Sequence, residues 1–401
     1  MDLPSIMDIN VRGKRLLVRA DLNVPVEAGE VTDATRITRF AKGMRPLLDR
    51  GARLVILTHF GRPEEGAGDD SFSVSQLRPA LSLALGRAVQ FAHPCTGPEV
   101  VAAAKALEDG EVLLCENLRY HEGETINDMG FAAELAKLGD IYVNDAFSVS
   151  HRAHASTDAV TNFLPSVAGP LVMEEVGALT SALEVPARPS VAIVGGSKVS
   201  TKISVLENLA ARLDHLIIGG GMANTFLFAD GAPMGQSLHE ADQIDTIARI
   251  RAVAGQSGCQ IHLPTDVVVA RDFAAHAPTA TVAATACLAD AMILDAGPRS
   301  VSAFREVLEN CRTILWNGPL GAFEIEPFDR ATVALANTAA RCTANGATSV
   351  AGGGDTVAAL NRAGVTQDFS YVSTAGGAFL EWLEGKQLPG IAALMRADKA
   401  A

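Results

Sequence analysis

Val191-Ala192-Ile193-Val194-Gly195-Gly196-Ser197-Lys198 runs from a short apolar strand into a glycine turn, and the helix that follows contains Lys202. A strand that feeds a glycine turn and then a helix opens a βαβ unit. Glycines at that turn let backbone N–H groups approach an anion at the positive end of the helix. Outward from this stretch the same grammar repeats. Gly219-Gly220-Gly221 follows an apolar run at 216–218, and Asn317-Gly318-Pro319 follows one at 313–316. Gly352-Gly353-Gly354-Asp355-Thr356 follows 348–350, and Ala375-Gly376-Gly377 comes after 371–372. Further strands are expected at 267–269 and 292–294. Lys198 and Lys202 are four apart and are expected on one helical face, where two ammonium groups call for an anion between them. Such glycine runs also serve close-packed turns.

The first half alternates in the same way, with strands expected at 15–18, 54–58, 112–114 and 141–143. Helices are expected at 35–50, 75–85, 98–107 and 131–138, the first closed by Gly51. Alternation of this kind predicts α/β architecture with parallel sheets covered on both faces. The pattern restarts after Glu184-Val185-Pro186-Ala187-Arg188-Pro189, and 401 residues are too many for one ordinary core. Two domains are therefore expected.

The strand-ends of the first half carry cations instead of glycines. They read Asp21-Leu22-Asn23, His59-Phe60-Gly61-Arg62, Arg119 and His151-Arg152-Ala153-His154, with Arg36 at a helix start. Ligands of open α/β sheets bind outside the carboxyl ends of the strands, and arginine forks suit carboxylate and phosphate oxygens. Each arginine taken singly is an ordinary solvated loop residue; five such sites on one rim point to a small phosphorylated acid. Asp355, at the start of a helix, suits either an N-cap or Mg²⁺, which takes one or two carboxylates beside phosphate oxygens. Glu324 suits ribose hydroxyls.

A net charge of −13 argues against nucleic acid or an anionic membrane as partner. The six cysteines, Cys95, Cys115, Cys259, Cys287, Cys311 and Cys342, are scattered without a C-x-x-C pair and read as reduced core thiols. The opening residues, Met1-Asp2-Leu3-Pro4, carry no signal-peptide pattern, and no run is long enough to span a bilayer. A cytoplasmic protein is expected. No G-x-x-x-x-G-K-[ST] and no G-x-G-x-x-G occurs, which argues against P-loop and dinucleotide-binding enzymes. A two-domain solute-binding protein would explain the arginines but not lysines beside glycine turns.

At this point the chain resembles the phosphoglycerate kinase family over essentially its whole length. The first half of the resemblance lies in Arg19-Ala20-Asp21-Leu22-Asn23-Val24-Pro25, Thr58-His59-Phe60-Gly61-Arg62-Pro63, Glu116-Asn117-Leu118-Arg119, Tyr142-Val143-Asn144-Asp145-Ala146-Phe147 and His151-Arg152-Ala153-His154-Ala155-Ser156. It continues in Gly195-Gly196-Ser197-Lys198-Val199-Ser200-Thr201-Lys202, Trp316-Asn317-Gly318-Pro319 and Gly352-Gly353-Gly354-Asp355-Thr356. The resemblance implies two doubly wound, Rossmann-like domains: a phosphoglycerate-binding domain over 1–170 and a nucleotide-binding domain over 189–380. A hinge helix and linker over 171–188 would join them, and 381–401 would return to the first. It implies reversible phosphoryl transfer between 1,3-bisphosphoglycerate and MgADP in glycolysis, giving 3-phosphoglycerate and ATP, by a monomer whose hinge closes.

By the family pattern Asp21, Leu22, Asn23, Arg36, His59, Phe60, Gly61, Arg62, Arg119 and Arg152 hold the phosphoglycerate. Lys202, Glu324 and the loop Gly353-Gly354-Asp355-Thr356 hold the nucleotide, with Asp355 on Mg²⁺. The glycine turns add Gly196, Ser197, Gly220, Gly221 and Asn317 to that set. Arg36, Lys198 and the N–H groups of Gly376 and Gly377 are expected to stabilise the migrating charge. Three positions depart from the pattern: Ala375 replaces a glycine, Tyr371 a common histidine, and Ser148-Val149-Ser150 a glycine-containing run. Only Gly376 and Gly377 are expected to need glycine's backbone freedom, since Ala375 at positive φ would be strained.

Overall fold

The computed structural model describes residues 3–63 and 70–398. Met1, Asp2 and the end of the expected C-terminal segment, 399–401, lie outside the described residues. The chain divides into two compact units, one of Met1–Gly177 with Gln387–Ala401 and one of Ala178–Lys386.

The first unit is built on a six-stranded parallel sheet in the order Val89–Ala92, Val112–Cys115, Arg53–Leu57, Arg15–Ala20, Ile141–Asp145, Ser166–Ala168. Its central strands are mostly apolar, with polar residues such as Arg19 and Asn144 near their carboxyl ends, because helices cover both faces. Leu16, Val18, Leu54 and Ile56 are fully buried against Ile37, Phe40 and Met44 of the helix Thr35–Asp49. That helix ends at Gly51 (φ 83°), a left-handed conformation glycine adopts without penalty. From Arg15–Ala20 the chain first builds outward to one side and then returns to place Ile141–Asp145 on the other. The carboxyl ends of these two strands therefore flank the crevice at which open α/β sheets take ligands.

The second unit repeats the plan in the order Gln260–His262, His215–Ile218, Ser190–Val194, Thr313–Asn317, Thr348–Gly352, Tyr371–Ser373. Its order reverses between Ser190–Val194 and Thr313–Asn317. Trp316 is fully buried between these layers, and its indole N–H donates to Gly318 O at 2.8 Å. The strands at 267–269 and 292–294 do not join this sheet. They belong to Asp266–Ala270 and Met292–Ala296, which pair antiparallel with each other and with Thr279–Ala283 in a separate three-stranded sheet. Apolar runs of this length have no period that distinguishes a parallel core strand from an antiparallel one.

The chain passes from one unit to the other twice. The division falls at 177/178, inside the helix Pro170–Leu179, which continues as a π-helical turn over Thr180–Glu184. The helix Gly377–Leu383 stays in the second unit; the chain returns to the first only at Gln387 and adds the helix Pro389–Asp398. There Gly390 N–H donates to Ser150 O at 2.9 Å, Asn144 Nδ2 donates to Gly390 O at 3.5 Å, and Arg396 pairs with Asp158. All six cysteines are buried and unpaired, and burial pushes Cys115 and Cys311 up to about 12. No helix among the described residues is long and apolar enough to cross a membrane.

Candidate functional site

In the first unit the loops after adjacent strands are tied to one another through backbone groups. Leu22 N–H donates to Thr58 Oγ1 at 3.1 Å, and Gly61 N–H donates to Asn23 Oδ1 at 3.0 Å. Asn117 bridges further, accepting from Phe60 N–H at 3.1 Å and donating to Phe60 O at 2.7 Å. Arg36 Nη1 is 2.6 Å from Asp21 Oδ2 and 3.3 Å from Asn23 O, and Ser148 Oγ donates to the same Asp21 oxygen. Asp21 thus joins the helix that carries Arg36 to the loop beyond the Ile141–Asp145 strand, across the crevice. Arg119 donates from Nη1 to Gly61 O. Gly61 has φ 59°, and a Cβ there would meet the Phe72 ring at 2.3 Å, so both conformation and space require glycine.

Arg62, Arg119 and Arg152 line one pocket of about 240 Å³ together with His121, Thr125 and His154. Asp21, Asn23, Arg36 and His59 lie outside that lining. Leu22 and Phe60, two of the expected substrate residues, put their side chains into the apolar core and present only backbone to the rim. His59 is 6 % exposed, and its basicity falls to about 2 because it is buried and faces Arg19, Arg119, Arg152 and Arg36. His154 is held down to about 4 by burial and nearby arginines, in spite of Glu124 Oε1 at 3.7 Å. Neither histidine is a cation at neutral pH.

Arg19 and Glu124 were not singled out by sequence as site residues, yet each is 1 % exposed and both stand among these arginines. Arg19 Nε donates to Ser156 Oγ at 2.9 Å. Ser156 in turn donates its hydroxyl to Glu124 Oε1 at 2.6 Å and its N–H to Oε2 at 3.0 Å. The available signal was an arginine at the carboxyl end of an apolar strand, where a fully buried guanidinium demands partners.

In the second unit the turn at Gly195 and the turn at Gly318 touch backbone to backbone at the reversal of the sheet. A Cβ on Gly195 would stand 1.7 Å from Pro319 O, and one on Gly318 would stand 2.1 Å from Gly195 O. Gly220 and Gly221 are likewise packed, their Cβ positions 2.7 Å from Gly196 O and 2.4 Å from Ser197 O. Close turn-on-turn contact accounts for these two glycines without a ligand. Gly354 and Gly376 differ: a Cβ on either meets nothing within 4 Å.

Lys198 and Lys202 do not share a helical face. A 3₁₀ turn, Val199–Thr201, separates them, and neither has helical backbone angles. Lys198 is exposed, with no side-chain partner among the described residues. Lys202 folds back instead, its Nζ donating to Gly195 O at 2.8 Å and to Asn317 O at 3.2 Å. Burial lowers it to about 8, against the opposing pull of Asp355. An ammonium has three donors, so one remains beside the glycine turns.

The cap of the helix Gly354–Ala363 is Gly353 (φ 98°) rather than Asp355, which sits exposed in the first turn. The N-cap reading of Asp355 is thereby excluded. Thr356 is buried and accepts from Gly318 N–H at 2.7 Å, while Asn317 Nδ2 donates to Gly352 O at 2.8 Å. Asn317 Oδ1 is buried with no hydrogen-bond partner. Glu324 is exposed beyond the Thr313–Asn317 strand. Ala375 is not at positive φ and carries no backbone strain; Gly376 is (φ 54°) but Gly377 is not, so only Gly376 uses the backbone freedom expected of both. Tyr371 is buried in the sheet.

The family model described as phosphoglycerate kinase matches residues 6–386. A phosphoglycerate kinase of Cereibacter sphaeroides is 57% identical over 396 residues, covering 98% of this chain and 100% of its own. One of Methylorubrum extorquens is 57% identical over 385 residues, 96% of each chain. Among solved structures, phosphoglycerate kinase from Coxiella burnetii superposes with a TM-score of 0.92 at 42% identity, covering 98% of this chain and 99% of that one. The enzyme from Pyrococcus horikoshii gives 0.79 at 28% identity over the whole of both chains. The chain belongs to the phosphoglycerate kinase family. Its reaction is the reversible transfer of a phosphoryl group between 1,3-bisphosphoglycerate and ADP.

Proposed function

We propose that the arginine rim of the first unit holds the phosphoglycerate and the glycine rim of the second holds the nucleotide. The observation that carries this reading is the contrast at equivalent strand-ends: four guanidinium groups act on His59 in one unit, and in the other the half-buried Lys202 ammonium bonds to the turns at Gly195 and Asn317. Arg62, Arg119 and Arg152 suit the phosphate end of the acid, since guanidinium forks match phosphate oxygens. Arg36, fixed by Asp21, suits the reacting carboxylate end. Lys202, Asn317, Glu324 and Gly353-Gly354-Asp355-Thr356 suit the nucleotide.

The chemistry needs position and positive charge more than covalent help, because the migrating phosphoryl group passes through a loose transition state. In the ATP-forming direction the acyl-phosphate bond breaks as an ADP oxygen takes the phosphoryl group, which leaves the 3-phosphoglycerate carboxylate. Arg36, exposed Lys198 and the N–H groups of Gly376 and Gly377 are the groups proposed to meet the charge that develops. Asp355 fits Mg²⁺ delivered as MgADP or MgATP. It is an exposed hard carboxylate without a hydrogen bond or ion pair among the described residues, in the first turn of a helix that favours phosphate. The ion would neutralise phosphate oxygens. No group of three or more ligating side chains is found among the described residues, as suits a cation held mainly by its nucleotide and water. One chain carries both rims, which suits a monomer. Six unpaired thiols suit a reducing cytoplasm.

Replacement of Asp355 by asparagine keeps shape and helix and removes the charge. MgADP affinity and turnover should fall at least tenfold, with thermal stability unchanged; an Asn variant with normal Mg²⁺ dependence would exclude Asp355 as the metal ligand. Lys202 yields a pH test. Its ammonium is depleted as pH rises through about 8, and a phosphate anion beside it favours the protonated form. ADP affinity should therefore weaken above that pH. Calorimetry at pH 8.5 in buffers of different ionisation enthalpy should show proton uptake on binding, and zero uptake would separate Lys202 from the phosphates.

A further inference from the structure

The hydrogen bonds that join Glu124 to His59 have only one possible direction. Guanidinium carries donors and no acceptor. Arg19 Nη2 stands 3.2 Å from His59 Nδ1, so Nδ1 must offer its lone pair and the ring proton must sit on Nε2. Arg19 Nε donates to Ser156 Oγ, and Nη1 donates to Ala20 O. Ser156 Oγ then has its own proton for Glu124 Oε1, at 2.6 Å. Every heavy atom in this chain of bonds belongs to a buried residue, so no water competes for the donors and the arrangement is rigid. We propose that Arg19 is a positioning residue for the reaction. Held by Glu124 through Ser156, it fixes His59 as the neutral Nε2–H tautomer, so that His59 meets the phosphoglycerate as a hydrogen-bond donor and not as a cation.

This rests on the assignment of His59 to the phosphoglycerate rim. The charged groups that face His59 are Arg19, Arg119, Arg152 and Arg36, all cationic, and they reinforce the neutral ring. An imidazole that titrated at neutral pH would change the charge of the site with every shift of cell pH; one locked neutral keeps substrate affinity constant. Glu124 supplies the buried negative charge without which Arg19 would be an uncompensated cation in the core, and that is a costly state.

The test uses the intact wild-type protein. Its imidazole ¹⁵N–¹H correlations should show His59, assigned by the signal lost in His59→Gln, as a single Nε2–H species without titration from pH 5 to 9. Titration in that range, or an Nδ1–H tautomer, would overturn the proposal. Adding 3-phosphoglycerate to the same sample should shift the Nε2–H signal. A locked tautomer blind to 3-phosphoglycerate would instead overturn the placement of His59 on substrate. Ser156→Ala cuts the link and should raise KM for 3-phosphoglycerate about tenfold, the worth of one charge-assisted hydrogen bond. It should also free Arg19 to turn away from Nδ1, so that an Nδ1–H signal appears beside the Nε2–H signal. Ser156→Thr keeps the hydroxyl and should restore both. A Ser156→Ala enzyme whose His59 tautomer and KM match wild type would overturn the role of Glu124.

Discussion

Arg36→Ala should lower kcat by about 10²–10³-fold, the usual cost of deleting one preorganised electrostatic group, while KM for 3-phosphoglycerate changes far less. Arg36 is held at 2.6 Å by Asp21, which Ser148 also fixes, so its guanidinium waits in place before any charge develops. A group positioned in advance contributes most where charge appears, in the transition state. Removal of the side chain also frees Asp21, whose negative charge would then face the reacting carboxylate. Arg36→Lys should recover little, since an ammonium cannot serve Asp21, Asn23 O and an incoming oxygen with the planar fork. Steady-state kinetics with both substrates varied decides the matter. A variant with raised KM and intact kcat would make Arg36 a binding residue only.

Gly195→Ala should abolish nucleotide binding and destabilise the second unit by about 3 kcal/mol, the upper end of the usual cost when a packed core is forced to shift. A methyl group there would stand 1.7 Å from Pro319 O, a backbone atom that cannot rotate away. The turns after Ser190–Val194 and Thr313–Asn317 would have to separate, and Lys202 donates to a carbonyl in each. Gly255→Ala, in the helix Ile244–Ser257 of the same unit, is the control, because a Cβ there meets nothing within 4 Å and its φ is not positive. Thermal unfolding and ADP titration of both variants should separate them cleanly. A Gly195→Ala protein as stable as wild type would mean that the two turns do not touch.

The strand–turn–helix alternation, and with it the place of the arginines and glycines at strand-ends, was legible because it depends on residues close together in sequence. Arg15–Ala20, Arg53–Leu57 and Ser190–Val194 are apolar runs that end on turns, and the ligand rim follows from where such strands stop. What depends on distant partners was not legible. Arg19 meets Ser156 137 residues away, and nothing local marks that pair. The antiparallel pairing of Asp266–Ala270 with Met292–Ala296 is a choice of neighbour that short apolar runs do not encode. Lys198 and Lys202 have helical spacing, yet Lys202 finds two carbonyl acceptors on neighbouring turns, and the intervening 3₁₀ turn breaks the face. At Gly220 and Gly221 the same residue type that suits phosphate is required by a backbone neighbour, and only coordinates distinguish the two.

The helix Pro389–Asp398 gives the first unit an order of assembly. Its Gly390 holds Ser150, and its Arg396 holds Asp158, on either side of the segment that carries Arg152. During translation the strands of that unit leave the ribosome early, but the segment around Arg152 gains these restraints only after residues 178–386 have been synthesised. A nascent chain therefore carries an unfinished arginine rim until the second unit has been synthesised.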